Sequence, residues 1–565
     1  MSKKPIRIAI FSDFNTENLA RILDSEPAEP ALKCLRPPFG SLVPSLLGPF
    51  PTPDGEEPEF GLAWSRPEAA VPLFAKVLRN ESARLEDILG EVDLYGARLA
   101  GAAKRLKALA AVTWTLPPWY RGLGGLDASI ATGHHHVLQE MNRRLVSNLR
   151  NGGGVYVLDA QAWIAETGPK AYSSHMWYLS KTPFAQELFR RAALEIKAFL
   201  RTALGGTRKL VLLDLDDTLW GGIVGDAGRE NLALGGHDAI GEAFVDFQKA
   251  LLSLKNRGIL LAVISKNTET VALDAIDNHP EMILRRKDFV GWRINWNDKA
   301  ANIADLVSEL NLGLQSAVFI DDNHLERERV RQALPEVFVP DWPKDKMLYV
   351  EALAALTCFD TLGVSAEDTK RTEEYLNNKR RDELRQSVGS VDEWLKGIEL
   401  KVRVEGLTKD NFPRVHQLLN KTNQMNLSTR RLTEQQLSDW AGQPDNRMFV
   451  FRVSDKFDDS GITGIASIRV EGPLAKVTDF VLSCRVMGRK VEQAMLHVLT
   501  EHAASMGAER LQAAYLPTAK NQPCLEFLKG SALKEEKEGS LFTWSLASFY
   551  PRPDCLQLFL EQVTA

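Results

Sequence analysis

Nowhere in its 565 residues does this chain hold 18 consecutive apolar residues, close to the shortest run that spans a bilayer as a helix. A membrane partner is therefore not expected. Cysteine is scarce, with five residues, odd in number and scattered. That argues against a disulfide framework and fits a reducing cytoplasm. Neither sign of charge dominates, and a formal net charge of −5 offers no basic field for nucleic acid. The basic residues near Met1 lead into a strand without a long apolar core, so no secretory leader is expected. Three of the ten histidines are adjacent, His134, His135 and His136. No acid or cysteine stands at ligand spacing, and neighbouring helix positions point apart, so they read as a surface loop or helix start.

What is present is ordinary soluble composition, 44% apolar and 25% charged, in a length that suits three or four α/β domains. The richest stretch runs from Lys209 through four apolar residues to Asp214-Leu215-Asp216-Asp217-Thr218. Residues i and i+2 of an extended chain point the same way, so Asp214 and Asp216 can face one ion or one phosphate. Three more segments share the design. An apolar run from Ile259 ends in Ser265, Lys266 and Asn267. Lys299 follows Trp296 and opens a helical pattern. A third run ends in Asp321, Asp322 and Asn323.

That order, acid pair, hydroxyl, lysine, acid pair, resembles the four motifs of the haloacid dehalogenase (HAD) superfamily of phosphotransferases. The resemblance makes Asp214 the nucleophile and Asp216 the proton donor and acceptor. Thr218, Ser265, Lys266, Asn267 and Lys299 would bind phosphate, with an ion pair to Asp321 as the other role for Lys299. The Asp214 carboxylate, the Asp216 carbonyl, Asp321 and Asp322 would hold Mg²⁺, a hard cation suited to oxygen ligands. The intervals between motifs leave no room for a cap domain of about 100 residues. The glycines from Gly221 to Gly236 read as a mobile flap.

Residues 1–200 read as a doubly wound α/β unit: a strand at Ile6–Phe11, an irregular Pro/Gly-rich excursion at 28–72, helical periodicity over 80–112, a strand at 111–116, a helix at 134–150 and, after Gly152 to Gly154, a strand at 155–159. Ser12, Asp159 and His175 give this unit a faint SGNH-hydrolase resemblance, and a non-hydrolytic docking role is expected. Residues 205–360 hold the HAD-like core, and 361–397 read as a charged, solvated helical linker. Residues 398–565 resemble an N-acetyltransferase-like (GNAT) fold. There a strand ending at Cys484 meets Arg485, Gly488, Arg489 and Lys490 and then a helix. A helix N-terminus binds phosphate, including that of a phosphopantetheine arm. Cys484 is either a thiolate activated by these cations or a small buried hydrophobe. The polar segment Lys421, Thr422, Asn423, Gln424, Met425, Asn426 is either a capped turn or the wall of an acyl or carrier site.

Together the segments 214–226, 265–267, 319–323, 421–426 and 482–488 resemble FkbH-like proteins of natural-product pathways. The resemblance implies transfer of a glyceryl group from 1,3-bisphosphoglycerate, removal of phosphate and loading onto an acyl carrier protein. Cys484 would accept the acyl group. The sequence departs mildly from that pattern, with Asp217 where Asn is common and Met425 where an aromatic is usual. A plain Mg²⁺-dependent phosphatase of a small metabolite, with structural flanking domains, is the alternative.

Overall fold

The computed structural model describes residues 4–363, except 38–39, 49, 51–56, 151–152 and 237, and residues 371–560, except 374, 378–380, 382–389 and 519. Part of the expected glycine turn at 152–154 and most of the charged linker, including Lys379 and Arg380, lie outside the described residues. The chain divides into two compact units, Met1–Arg208 with Leu353–Gly363, and Lys209–Ala352 with Val364–Ala565. Among the described residues no helix is long and apolar enough to cross a membrane.

The first unit is built on five parallel strands, β1 (Ile6–Phe11), β2 (Leu32–Leu35), β3 (Phe60–Ala63), β4 (Ala108–Val112) and β5 (Val155–Leu158), in the order β2-β1-β3-β4-β5. Alternate residues of β1 enter different cores, Ile8 and Ile10 on one face, Ala9 and Phe11 on the other. That is the period of a strand covered on both sides. Two expectations change. The 28–72 excursion contains β2 and β3, whose four-residue runs are too short to stand out among prolines and glycines. The strand placed at 111–116 lies earlier, since the helix Leu85–Ala103 ends early enough for β4 to start at Ala108.

The second unit holds a four-stranded parallel sheet, β6 (Leu210–Leu213), β7 (Leu260–Ser265), β8 (Phe289–Ile294) and β9 (Ala317–Ile320), ordered β8-β7-β6-β9. The chain steps outward from β6 to β8 and returns to the other side of β6 with β9. This reversal puts the carboxyl ends of β6 and β9 side by side, where open sheets bind ligands. Side chains of β6, β7 and β9 pack on Ala300, Ile303, Leu306 and Val307 of the helix Lys299–Glu309.

The same unit contains a nine-stranded mixed sheet from β10 (Lys401–Gly406), β11 (Met425–Asn426), β12 (Asn446–Ser454), β13 (Asp459–Glu471), β14 (Leu474–Leu482), β15 (Arg510–Ala514), β16 (Lys534–Lys537), β17 (Leu541–Ser545) and β18 (Gln557–Leu560). The helix Val491–Ser505 packs on one face, and Phe412–Lys421 with Glu434–Ala441 on the other. One linker residue is not solvated. Arg381 is buried against Asp455, 2.6 Å from Nε to Oδ2.

Candidate active site

The strands β6 and β9 end where their apolar runs end, and the next residues carry the polar groups. Asp214 follows β6, and its N–H donates to the Ile320 carbonyl of β9 (3.0 Å). Lys299 is the first residue of its helix because Asp298 caps it, accepting from Ala301 N–H at 3.2 Å. Asn323 caps the next helix through Leu325 N–H (2.9 Å), so Asp321 and Asp322 occupy the turn between β9 and that helix.

The Lys299 ammonium lies 3.0 Å from Asp214 Oδ1 and donates to Asp321 Oδ2 at 2.6 Å. The expected ion pair of Lys299 with Asp321 is present, and Asp214 joins it. Asp214, Asp321 and Asp322 bring carboxylate oxygens within 4.8 Å of one another. Asp214 Oδ1 is buried with the Lys299 ammonium beside it. Three converging hard carboxylate oxygens fit a divalent cation such as Mg²⁺. Burial raises the pKa of Asp321, the Asp214 charge adds to this, and Lys299 opposes it. Burial also disfavours the Lys299 ammonium, but the two carboxylates outweigh it and its pKa is raised. These groups titrate as a set.

Asp216 is not one of the three converging carboxylates. Its Oδ1 accepts from Trp220 Nε1 (2.9 Å) and Val224 N–H (3.1 Å), and its Oδ2 from Asn267 Nδ2 (2.9 Å). Burial raises its pKa. The Asp216 side chain thus stands apart from the Asp214 cluster, since β6 ends at Leu213. Thr218 is buried, and its hydroxyl accepts from Asp322 N–H (3.2 Å). Ser265 is buried at the end of β7. Lys266 pairs instead with Glu326 at 2.6 Å. The glycine-rich segment is stitched rather than loose, since Gly221 and Ala233 exchange backbone hydrogen bonds of 3.0 and 2.9 Å and Trp220 is fully buried.

Three residues outside the motifs also belong here. Arg327 is buried and donates to the carbonyls of Asp321 (2.6 Å) and Asp322 (2.8 Å). Lys346 donates to the Asp217 carbonyl (2.7 Å), and the Tyr349 hydroxyl donates to the same oxygen (3.1 Å). Lys346 closes no apolar run, so strand-end reading misses it. The available signal was a lysine and a tyrosine three positions apart on one helical turn.

In the nine-stranded sheet, β11 pairs with β14, and Met425 faces Leu482. This brings the end of the Lys421–Asn426 segment against the last residues of β14, and Cys484, which is exposed, opens a short turn just past that strand. Lys421 ends its helix, Thr422 offers its carbonyl to Asn426 Nδ2 (3.0 Å), Asn423 accepts from Arg431, and Gln424 is exposed. Asn426 is buried and held by Asn521, whose Nδ2 donates to its carbonyl (3.0 Å). Met425 lies in the core.

The phosphate cradle expected before the helix Val491–Ser505 is already filled. Gly488, at φ +73°, gives its N–H to the buried Glu492 carboxyl (2.8 Å). Arg489 is buried, donates to the Arg485 carbonyl (2.7 Å) and lies 3.5 Å from Asp455, and Lys490 pairs with Asp392 (2.6 Å). An acid thus occupies the turn's N–H group, and two of its cations are engaged by carboxylates.

In the first unit Ser12 Oγ accepts from Phe14 N–H (3.2 Å), while Asp159 caps the helix Ala160–Thr167 and receives the Thr113 hydroxyl (3.2 Å). His175 is exposed. The three adjacent histidines open the helix His134–Arg150, as expected, with His134 buried and His135 bonded to Asp127.

The chain matches no protein-family model and no curated protein. Among solved structures it is similar to the N-terminal part of protein BF1531 from Bacteroides fragilis, described as containing a phosphatase domain complexed with Mg. Identity is 24%, with 64% of this chain and 96% of that one covered and a TM-score of 0.57. Two weaker likenesses are to acetyltransferases. The ribosomal-protein-S18-alanine N-acetyltransferase of Escherichia coli is 9% identical, with 26% of this chain and 94% of that one covered at a TM-score of 0.21. The GNAT domain of S. lividans PAT is 15% identical, with 25% and 89% covered at a TM-score of 0.21.

Proposed function

We propose that this protein is a two-site enzyme, a Mg²⁺-dependent HAD-type phosphatase joined to an acyltransferase. It captures a glyceryl-type acyl group from an acyl phosphate such as 1,3-bisphosphoglycerate, removes the remaining phosphate and loads the acyl group onto the phosphopantetheine arm of an acyl carrier protein. The observation that carries the first half is the convergence of Asp214, Asp321 and Asp322 around Lys299.

In this reading the Asp214 carboxylate attacks phosphorus in line, and the phosphorus–oxygen bond to the substrate breaks. Asp216 gives its proton to the leaving oxygen, then takes one from the water that hydrolyses the aspartyl-phosphate. Lys299, Ser265 and Thr218 hold phosphate oxygens. Asp214, Asp321 and Asp322, with the Asp216 carbonyl, would hold Mg²⁺, which would supply positive charge against the phosphate. At the second site the Cys484 sulfur forms a thioester as the acyl–oxygen bond to phosphate breaks, and the carrier thiol then displaces it.

A second observation favours a protein-borne substrate over a small metabolite. Among the described large apolar side chains of Lys209–Ala352, those more than half exposed are Ile223 (52%), Trp296 (73%), Leu325 (75%) and Met347 (51%). Each lies within three positions of Val224, Lys299, Asp322 or Lys346. Ile223 and Trp296 lie in the segments after β6 and β8, Leu325 in the first turn of the helix His324–Ala333 after β9, and Met347 in the Lys346 turn. The sheet beneath is three strand spacings wide, about 14 Å. An apolar collar of that width suits a protein surface better than a polar metabolite.

The test is intact-mass spectrometry of an acyl carrier protein incubated with the enzyme, 1,3-bisphosphoglycerate and Mg²⁺. Glyceryl-loaded carrier is expected, phosphoglyceryl-loaded carrier or enzyme with Asp214→Asn, and no loading with Cys484→Ala. Dephosphorylated product from Asp214→Asn, or normal loading by Cys484→Ala, removes the corresponding half.

A further inference from the structure

Lys346 and Tyr349 stand outside all four motifs, yet they meet the catalytic turn directly. Asp217 has φ +54°, a left-handed conformation that Asp adopts more readily than most residues but that still needs support. Its carbonyl takes two donors, Lys346 Nζ at 2.7 Å and Tyr349 Oη at 3.1 Å, and Lys346 also bonds Tyr349 Oη at 3.0 Å. Asp217 Oδ1 in turn accepts from Gly222 N–H (3.2 Å), tying the turn to the following segment. The ammonium lies 3.5 Å from Asp322 Oδ2. Tyr349 is fully buried among Phe244, Phe247 and Trp342, with ring centroids 5.3 to 6.0 Å away. The pair therefore rests on a rigid base.

We propose that Lys346 and Tyr349 are a positioning pair for the phosphatase site. They hold the Asp217 carbonyl, and through it the turn that carries Asp214 and Asp216, while Lys346 keeps a positive charge beside Asp322. Neither residue touches the reacting atoms. The inference rests on the phosphatase reading and adds residues to it. It explains why an aspartate holds a left-handed conformation here, since the two donors compensate a backbone that would otherwise relax and carry Asp216 with it.

The experiment measures hydrolysis of p-nitrophenyl phosphate with Mg²⁺ by the full chain, beside Mg²⁺ binding by calorimetry without substrate. Lys346→Met is expected to lower kcat at least 10-fold with KM within about 3-fold of wild type. Its Mg²⁺ Kd stays equal or falls, because a cation next to a metal carboxylate has been removed. Tyr349→Phe is expected to lower kcat about 3-fold. The double variant should match Lys346→Met within twofold, because both donors serve one oxygen. Melting temperatures check folding. If Lys346→Met does not fold, Tyr349→Phe decides alone.

Unchanged kcat in the folded variants overturns the proposal. So does a Mg²⁺ Kd that weakens in parallel with kcat, which would make Lys346 part of the metal site instead. If wild type fails to hydrolyse the ester and fails to bind Mg²⁺, the phosphatase reading itself falls and the pair falls with it. Wild-type turnover abolished by Asp214→Asn but indifferent to both Lys346→Met and Tyr349→Phe sinks only the pair.

Discussion

Lys299 sits between two carboxylates that belong to different strands, 3.0 Å from Asp214 after β6 and 2.6 Å from Asp321 after β9. All three side chains are almost entirely buried. One ammonium therefore locks the two central loops of the site together.

Lys299→Met should uncover that dependence. Removing one partner from a buried ion pair leaves uncompensated charge, at a cost of about 3–5 kcal/mol. The variant should melt at a lower temperature than wild type in EDTA, and Mg²⁺ should restore part of the difference by taking the place of the lost charge. Equal melting in EDTA would contradict the geometry.

Much of this site was legible in the sequence, for a physical reason. Buried parallel strands are short apolar runs, and the first polar residues after them face the ligand edge, so Asp214, Ser265 and Asp321 announce themselves. What a side chain does after leaving the strand was not legible. Asp216 turns to Trp220 and Asn267, Lys266 turns to Glu326, and Glu492 takes the Gly488 N–H, partners brought close by the tertiary fold rather than by spacing along the chain. Lys346 and Arg327 act on backbone carbonyls, and no spacing rule marks such contacts. The strands β2 and β3 were hidden by brevity.

Asp127 carries a pH prediction for the first unit. Its carboxyl is buried, which disfavours the charge, yet it accepts N–H bonds from Leu123, His134 and His135 and one from the His135 ring. These donors win and hold its pKa well below the usual carboxylate value. A depressed pKa stabilises the fold above the unfolded value near 3.9, and the gain is lost as pH falls below it. Asp127→Asn should cost about 1.5–3 kcal/mol at pH 7. In urea denaturation the gap to wild type should narrow between pH 5 and pH 3. A gap that does not depend on pH would contradict the assignment.

Cysteine labelling gives a second check. Cys484 is exposed. Burial pushes the Cys358 thiol up to about 11 and the Cys524 thiol up to about 12, and raises Cys34 and Cys555 as well. Brief iodoacetamide treatment of the native protein at pH 7.5, followed by peptide mapping, should modify Cys484 first. Preferential modification of any other cysteine would count against an accessible thiol at the end of β14.

The apolar collar predicts a split between substrates. Trp296→Ser with Leu325→Ser should leave p-nitrophenyl phosphate hydrolysis within about twofold, since neither residue touches the acids. The same double change should slow dephosphorylation of a phosphoglyceryl-loaded carrier protein at least 10-fold in kcat/KM. Equal effects on both substrates would assign the collar to folding rather than docking.

The central claim is that the Asp214 carboxylate attacks phosphorus, and borohydride trapping tests it most directly. Reduction of the enzyme during turnover with Mg²⁺, followed by peptide mass spectrometry, should convert residue 214 to homoserine, and Asp214→Asn should show no reduction and no turnover. Reduction at another carboxylate, or turnover that persists in Asp214→Asn, would contradict the account.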